Sequence, residues 1–192
     1  MIGDSITHFW ELSAYFDTTP HVFINHGIGG DVTEYVLKRF EADCLQLKPR
    51  VAILMIGTND LWALEPDGWA GTTGGDKQLV KKSLLANYRE ILQLAKEAKQ
   101  QLVVCSILPT NMTFLQLLKV RNEAIIEVNE ALKKLVKEFD FLYVDYHTHM
   151  VKEDGGTARD GLMKEGLHPI YSGYQLMSDI LRTALKEKGL EI

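Results

Sequence analysis

The sequence predicts an α/β protein built on a parallel β-sheet. Four short apolar runs, at residues 22–25, 51–56, 101–107 and 141–144, alternate with longer stretches of helical periodicity. Each run is mostly apolar and ends at polar or turn residues, which is typical of strands that helices cover on both faces. Strands that alternate with helices in this way pair in parallel and are joined by right-handed crossovers.

The stretches between and after these strands carry an apolar stripe and a charged face. In the second stretch, apolar residues recur at three- and four-residue spacing from Leu84 through Tyr88 and Leu92 to Ala95. This spacing is typical of an amphipathic helix that packs one side on a core. The lysine and glutamate residues on the other side indicate a solvated face. The four predicted helices span about residues 32–47, 77–99, 115–138 and 171–188.

The composition fits one domain over residues 1–192 and excludes some classes of partner. With 46% hydrophobic residues the chain can build a sizeable core. Its net charge of -5 gives no basic excess that would attract a nucleic acid or an anionic membrane. No apolar run approaches the roughly 18 residues of a membrane span, so we expect no membrane insertion. The sequence does not fix the compartment, which would be secreted or periplasmic if a signal before Met1 has been removed.

Neither the cysteines nor the clustered histidines predict a metal site. Cys44 lies in a predicted helix and Cys105 in a predicted strand, and neither forms a C-x-x-C pair, so we expect two buried free thiols. His147 and His149 follow a strand together with Asp145 but lack a fourth ligand at a recognised spacing. We interpret these three residues as part of a polar loop and expect no metal and no other cofactor.

The polar and glycine-rich segments of the chain fall where a ligand site is expected. Open parallel sheets bind ligands at the carboxyl ends of their strands. Segment 29–31 follows the strand at 22–25, segment 57–60 follows the strand at 51–56, and segment 168–169 precedes the last helix. We therefore expect these segments to converge with residues 3–5 at one edge of the sheet.

Aromatic residues and a loop also fall near this edge. Trp10, Trp62 and Trp69 are interpreted as packing residues, with the floor of a substrate pocket as the alternative. A glycine-rich loop at 65–76 follows a strand end and is expected to border the site.

Four segments carry a recognisable pattern, and their order along the chain makes it specific. They are Gly3-Asp4-Ser5-Ile6-Thr7, Gly30, Gly57-Thr58-Asn59-Asp60 and Gly166-Leu167-His168-Pro169. With these segments the sequence resembles the SGNH branch of the GDSL esterase and lipase family, and further similarity at 105–109 and 144–146 is to the bacterial acylhydrolases within it. The resemblance implies a flavodoxin-like three-layer α/β/α sandwich and the hydrolysis of carboxylic esters without a metal or organic cofactor.

The resemblance implies a role for each matching residue. Ser5 is the nucleophile, and His168 is the base that takes its proton. The backbone N–H groups of Ser5 and Gly30 and the side-chain amide of Asn59 form the oxyanion hole. Read alone, Ser5 would instead be a helix N-cap. Asp4 is interpreted as a scaffold residue that accepts hydrogen bonds from nearby backbone.

Thr58 and Asp60 are interpreted as structural residues that hold their loop through local hydrogen bonds.

The sequence departs from the family pattern at two places. Only Met1 and Ile2 precede the nucleophile motif, so the central first strand is predicted to be truncated. Met1 is then an internal start or a chain boundary, or another chain or segment supplies the strand. Exposed sheet edges would also allow a homo-oligomer. Where the family has Asp three residues before the histidine, this chain has Glu165, and we expect Glu165 rather than Asp160 to orient His168, although a backbone carbonyl or water is a third alternative.

The sequence as a whole predicts a serine ester hydrolase that acts through an acyl-enzyme on a small-molecule or carbohydrate ester. Several relatives deacetylate carbohydrates, so an acetylated sugar is the favoured substrate. One alternative is a non-catalytic module of the same fold that binds acylated glycans, which would explain the short first strand and the altered acid. A flavodoxin-type electron carrier is a second alternative, but it requires a Ser/Thr-rich phosphate loop where Asp4 and His8 stand.

Overall fold

The computed structural model describes residues 1–17, 20–66, 75–153 and 155–190. Trp69 and most of the glycine-rich loop lie outside these residues. The strands of the main sheet are β1 (Ile2–Gly3), β2 (His26–Gly27), β3 (Ala52–Met55), β4 (Leu102–Cys105) and β5 (Leu142–Val144). These five strands are parallel and have the order β2-β1-β3-β4-β5, which confirms the predicted parallel α/β fold. A separate antiparallel pair is formed by β6 (Met163–Lys164) and β7 (His168–Pro169).

The helices in the described part of the chain are α1 (Ser5–His8), α2 (Leu12–Phe16), α3 (Thr33–Phe40), α4 (Lys77–Glu97), α5 (Leu118–Glu138), α6 (His147–Met150) and α7 (Tyr171–Glu187). α3, α4, α5 and α7 lie within the four predicted stretches, whereas the short helices α1, α2 and α6 lie outside them. A π-helical turn, Glu41–Leu45, follows α3 within the region predicted as one helix, and a 3₁₀ turn, Asp60–Leu64, follows β3.

Alternate residues of the central strands face two separate apolar clusters. Leu54 of β3 and Val104 of β4 pack in one cluster with α3, α4 and α5. Ile53 and Val103 pack in the other cluster with α2 and α7. Because successive side chains of a strand point to opposite faces, each central strand is buried on both sides. The result is the expected three-layer α/β/α sandwich, with Cys44 and Cys105 both buried as free thiols.

The first strand is short, as predicted, and it comes from this chain. Ile2 pairs with His26 of β2 on one side and with Leu54 of β3 on the other. The alternative of a strand supplied by another chain or segment is therefore not what the structure shows.

The strand predicted at 22–25 was wrong. Val22 and Ile24 are exposed, and the paired residues of β2 are His26 and Gly27. The Ile24 carbonyl oxygen does accept a hydrogen bond from the Met1 amino group at 2.6 Å. The exposure of Val22 and Ile24 shows, however, that this segment is not covered on both faces, as the predicted buried strand would be.

Candidate active site

The serine at the end of β1 is held in place by its neighbour. Oδ1 of Asp4 accepts a hydrogen bond from the backbone N–H of Ile6 at 2.9 Å and so caps α1. Asp4 therefore does what the sequence predicted for it, through local backbone. Because Asp4 fills the capping role, the Ser5 hydroxyl is not needed for it and the capping alternative for Ser5 does not apply. The Ser5 N–H lies in the first turn, where helix donors have no intrahelical partner.

The Ser5 hydroxyl meets an imidazole that comes from the other end of the chain. Ser5 Oγ lies 2.9 Å from Nε2 of His168, although the two residues are 163 positions apart. Ser5 is buried and the His168 side chain is 24% exposed. A neutral imidazole at this distance can accept the hydroxyl proton, which is the arrangement that activates a serine.

The other imidazole nitrogen meets a carboxylate. Nδ1 of His168 is hydrogen-bonded to Oε1 of Glu165. Asp160, the rival acid, instead pairs with Lys152 at 2.8 Å, and its side chain is 82% exposed. The structure thus places Glu165, and not Asp160, against the imidazole. A carboxylate in this position fixes the tautomer of the base and stabilises its protonated form.

A hairpin brings Glu165 to His168, although a spacing of three residues also occurs within one turn of a helix. Lys164 of β6 pairs with His168 of β7, and Glu165 lies in the turn between them with a φ of 44°. The next residue, Gly166, has a φ of 81° and lies so close to Asn111 that an added Cβ would be 2.1 Å from the Asn111 carbonyl oxygen. This close approach, secured by the bond from Asn111 N–H to the Gly166 carbonyl at 2.7 Å, fixes the turn.

The glycine loop after β2 lies beside the serine. A Cβ added to Gly29 would be 4.0 Å from Cβ of Ser5. Gly30 is exposed and has a φ of 83°, a conformation that favours glycine, and an added Cβ there would point into open space. Gly27 is different, because an added Cβ would lie 2.2 Å from the backbone nitrogen of His8. Its lack of a side chain lets β2 approach α1.

The loop that carries Asn59 is joined to the loop that carries Gly30. Nδ2 of Asn59 donates to the carbonyl oxygen of Asp31 at 2.9 Å, which leaves its second hydrogen for another acceptor. The side chain of Asp31 is itself fixed by Nε of Arg39 at 2.8 Å. The three sequence-predicted oxyanion donors therefore lie on segments that contact one another or Ser5.

The sequence suggested that Asp60 holds its loop through local hydrogen bonds, but its carboxylate also reaches a distant helix. Its carboxylate accepts from the backbone N–H of Thr33, at 3.0 Å to the nearer oxygen, and from the Thr33 hydroxyl. Thr33 is the first residue of α3, and Val32 before it offers no capping side chain. Asp60 thus caps α3 from 27 positions away. Burial raises the pKa of Asp60, and the bonds from Thr33 oppose that rise.

Thr58 is likewise held from a distance. Nη2 of Arg121, a fully buried residue of α5, donates to the Thr58 carbonyl at 2.6 Å and to its hydroxyl at 3.0 Å. The guanidinium also lies over the Trp62 ring, 5.0 Å from its centroid. Burial lowers the pKa of Arg121 to about 10, and nearby Glu65 opposes that change.

Sequence reasoning missed Thr33 and Arg121 as partners of the site. Two features of the sequence could have pointed to them. Arg121 lies on the apolar face of α5, and Val32 stands where α3 needs a capping side chain.

The remaining candidates take structural roles. Trp10 is buried and stacks on Tyr174 with ring centroids 5.4 Å apart, so it is a packing residue. The backbone N–H of His147 is bonded to Ser106 Oγ at 2.9 Å. Within the described part of the chain, no three His, Cys, Asp or Glu side chains are placed to share a metal ion. Among the same residues, no helix is long and apolar enough to cross a membrane.

Two relatives align with much of the chain. One is an uncharacterized lipoprotein, YqeF, of Bacillus subtilis (strain 168), which is 28% identical over 160 residues. The other is an acetylxylan esterase of Xylanibacter ruminicola, which is 25% identical over 184 residues. The alignments cover 75% and 89% of this chain but only 63% and 35% of the relatives, so the chain spans less than two thirds of either protein.

Solved structures and a family model agree on the fold. A GDSL-like lipase from Bacteroides thetaiotaomicron has a TM-score of 0.80 at 24% identity, over 97% of this chain and 86% of that one. A variant of an acetyl-xylooligosaccharide esterase from Geobacillus has a TM-score of 0.75 at 19% identity, over 99% of this chain and 93% of that one. The model of the GDSL-like lipase/acylhydrolase family matches residues 1–176. Together with the strand-end motifs, this match shows that the chain belongs to the GDSL-like lipase/acylhydrolase family of ester hydrolases.

Proposed function

We propose that this chain cleaves carboxylic esters through an acyl-enzyme formed on Ser5. The observation that carries the proposal is the hydrogen-bonded series from Ser5 Oγ through His168 to the Glu165 carboxylate. A serine hydroxyl is a weak nucleophile, and a neutral imidazole 2.9 Å away can remove its proton as the oxygen attacks. A carboxylate on the far nitrogen holds the imidazole in the tautomer that leaves Nε2 free to accept.

In acylation, Ser5 Oγ bonds to the ester carbonyl carbon and its proton passes to Nε2 of His168. The carbonyl oxygen becomes negatively charged, and the N–H groups of Ser5 and Gly30 and the free hydrogen of Asn59 Nδ2 are the donors proposed to stabilise it. Collapse of the intermediate breaks the bond to the alcohol oxygen, which takes the proton from His168. In deacylation, His168 removes a proton from water, and the water oxygen bonds to the acyl carbon. The bond between the acyl carbon and Ser5 Oγ then breaks, His168 returns the proton to Ser5 Oγ, and the carboxylic acid leaves.

For the substrate, we propose a short acyl group, such as acetyl, on a carbohydrate. The support is the alignment with an acetylxylan esterase over 89% of this chain. The second candidate is a glycan-binding module without turnover, and the sequence observation that favoured it is the glutamate at position 165 where the family has aspartate.

Hydrolysis of p-nitrophenyl esters of graded acyl length, with wild type and Ser5→Ala, tests the catalytic proposal. We expect turnover of the short-chain esters and a loss in kcat on the order of a millionfold in Ser5→Ala. Ser83→Ala is the matched control, because Ser83 is an exposed serine on α4. A fluorophosphonate should modify wild type and Ser83→Ala but not Ser5→Ala.

Near wild-type turnover in folded Ser5→Ala would overturn the assignment of the nucleophile. Binding of acetylated xylan without turnover or labelling would favour the glycan-binding module.

A further inference from the structure

Phe9 has a large apolar side chain that does not pack in the core. It is 55% exposed and belongs to neither of the two apolar clusters formed by the described residues. Its backbone N–H donates to the Ser5 carbonyl at 2.9 Å, so it follows the serine by one helical turn. Residues four positions apart lie on the same face of a helical turn, which places Phe9 beside Ser5.

The exposed Phe9 ring lies between two imidazoles. Its centroid lies 5.3 Å from that of His168 with an interplanar angle of 73°, and 5.2 Å from that of His8 with an angle of 80°. Both contacts have the edge-to-face geometry that aromatic rings prefer. The ring is therefore positioned by neighbours while more than half of its surface stays available to a ligand.

The chemistry decides which part of an ester meets this ring. The leaving alcohol must receive a proton from Nε2 of His168, so its oxygen and the carbon that carries it lie next to the imidazole. The ester carbonyl oxygen, in contrast, is directed to the donors of Gly30 and Asn59. Because the Phe9 ring contacts His168, it borders the space that the leaving alcohol would occupy.

We propose that Phe9 binds the leaving alcohol and selects esters whose alcohol is a ring, such as a pyranose or an aryl group. The proposal rests on the function proposed above for Ser5 and His168. An exposed aromatic ring offers an apolar surface to the C–H groups of a sugar face or to another aromatic ring, whereas a methyl group is too small to cover it.

Two series of esters separate this role from the positioning of His168. The first keeps acetate as the acyl group and varies the alcohol from methyl to phenyl to an acetylated methyl xyloside. The second keeps methanol and lengthens the acyl group. All acetate esters form the same acetyl-enzyme, so an effect that depends on the alcohol arises in binding or acylation and is read from kcat/KM.

We expect Phe9→Ala to lower kcat/KM roughly tenfold for the phenyl and xyloside acetates and less than about twofold for methyl acetate. Phe9→Tyr keeps the ring and should restore the preference. The ratio of Phe9→Ala to wild type should stay constant along the acyl series. Tyr35→Ala is the matched control, since Tyr35 is 53% exposed and its ring contacts Lys38 on α3.

An equal loss on methyl acetate and on the ring esters would show that Phe9 acts only on His168, and it would overturn the proposal. A loss that grows with acyl length, or no loss at all, would overturn it as well. If wild type hydrolyses none of these esters, the proposed function itself fails and this proposal fails with it. If wild type hydrolyses the esters and Phe9→Ala keeps the same preference for ring alcohols over methanol, the proposal for Phe9 fails while the proposed function stands.

Discussion

Asp4 carries a buried carboxyl group next to Ser5, and replacing it with asparagine tests how its ionisation changes the stability of the fold. Burial raises the pKa of Asp4 from 3.8 to about 7, the hydrogen bond from Ile6 N–H opposes the rise, and the nearby carboxylates of Asp60 and Asp31 add to it. Since folding favours the protonated form, the stabilisation is fully present below pH 3.8 and is lost as the pH rises through about 7.

The shift gives the magnitude of the effect. Each pKa unit corresponds to about 1.4 kcal/mol, so Asp4 should remove roughly 2 to 3 kcal/mol from the free energy of unfolding between pH 5 and pH 8. The amide of an asparagine side chain would resemble the neutral carboxyl and would still accept from Ile6, because asparagine is as good a cap as aspartate. Between pH 5 and pH 8, the free energy of unfolding of Asp4→Asn should therefore fall by roughly 2 to 3 kcal/mol less than that of wild type.

Urea unfolding at pH 5 and pH 8 measures this difference, and comparing the two pH values within each variant cancels the groups that wild type and variant share. Asp76→Asn is the matched control, because Asp76 caps α4 through Gln78 and Leu79 N–H at 2.9 Å but is exposed. Its pH dependence should match that of wild type. Equal pH dependence in Asp4→Asn and wild type would refute the reasoning. A loss of turnover far beyond tenfold in folded Asp4→Asn would show a catalytic role that the geometry does not provide.

Two further predictions concern the proposed catalytic groups and are measured with p-nitrophenyl acetate. Glu165→Gln should lower kcat by on the order of a thousandfold or more, because the amide no longer fixes the imidazole or stabilises its protonated form. Asp160→Asn should stay within about twofold, because its partner is Lys152. The reverse order would make Asp160 the orienting acid. Asn59→Ala should lower kcat about a hundredfold with little change in KM, as expected for one donor to the oxyanion. A rise in KM at constant kcat would instead assign Asn59 to substrate binding.

β3 and β4 could be predicted because burial on both faces marks them in the sequence as continuous apolar runs. The predicted runs at 51–56 and 101–107 contain these two strands, and the run at 141–144 contains β5 at the edge of the sheet. The run at 22–25 failed although its composition is similar, because apolar composition alone does not tell whether other elements will cover the segment. Val22 and Ile24 are exposed, and the paired residues of β2 are His26 and Gly27.

The position of Ser5 could also be predicted, because the carboxyl ends of parallel strands share one edge of the sheet. The meeting of His168 with Ser5 was implied by the family pattern, since His168 belongs to the separate antiparallel pair β6–β7 and not to the parallel sheet. The way in which Glu165 reaches the imidazole could not be predicted. A spacing of three residues suggests a helical turn, whereas the structure uses a hairpin turn with a φ of 44° at Glu165. That turn is set by contact with Asn111, which is distant in the sequence and leaves no local trace.

The contacts between the loops that carry Gly30 and Asn59 also involve residues distant in the sequence, so they could not be predicted from either loop alone. The lack of a local capping residue before α3 is nevertheless informative. The first N–H groups of a helix need acceptors, and Val32 supplies none to α3. A distant acceptor is then required, and Asp60 provides it through Thr33. The segment that carries Gly30 leads directly into this helix, and the segment that carries Asn59 leads directly into Asp60. One carboxylate thus joins the two loops, so the spacing between the proposed donors depends on α3 being formed and capped.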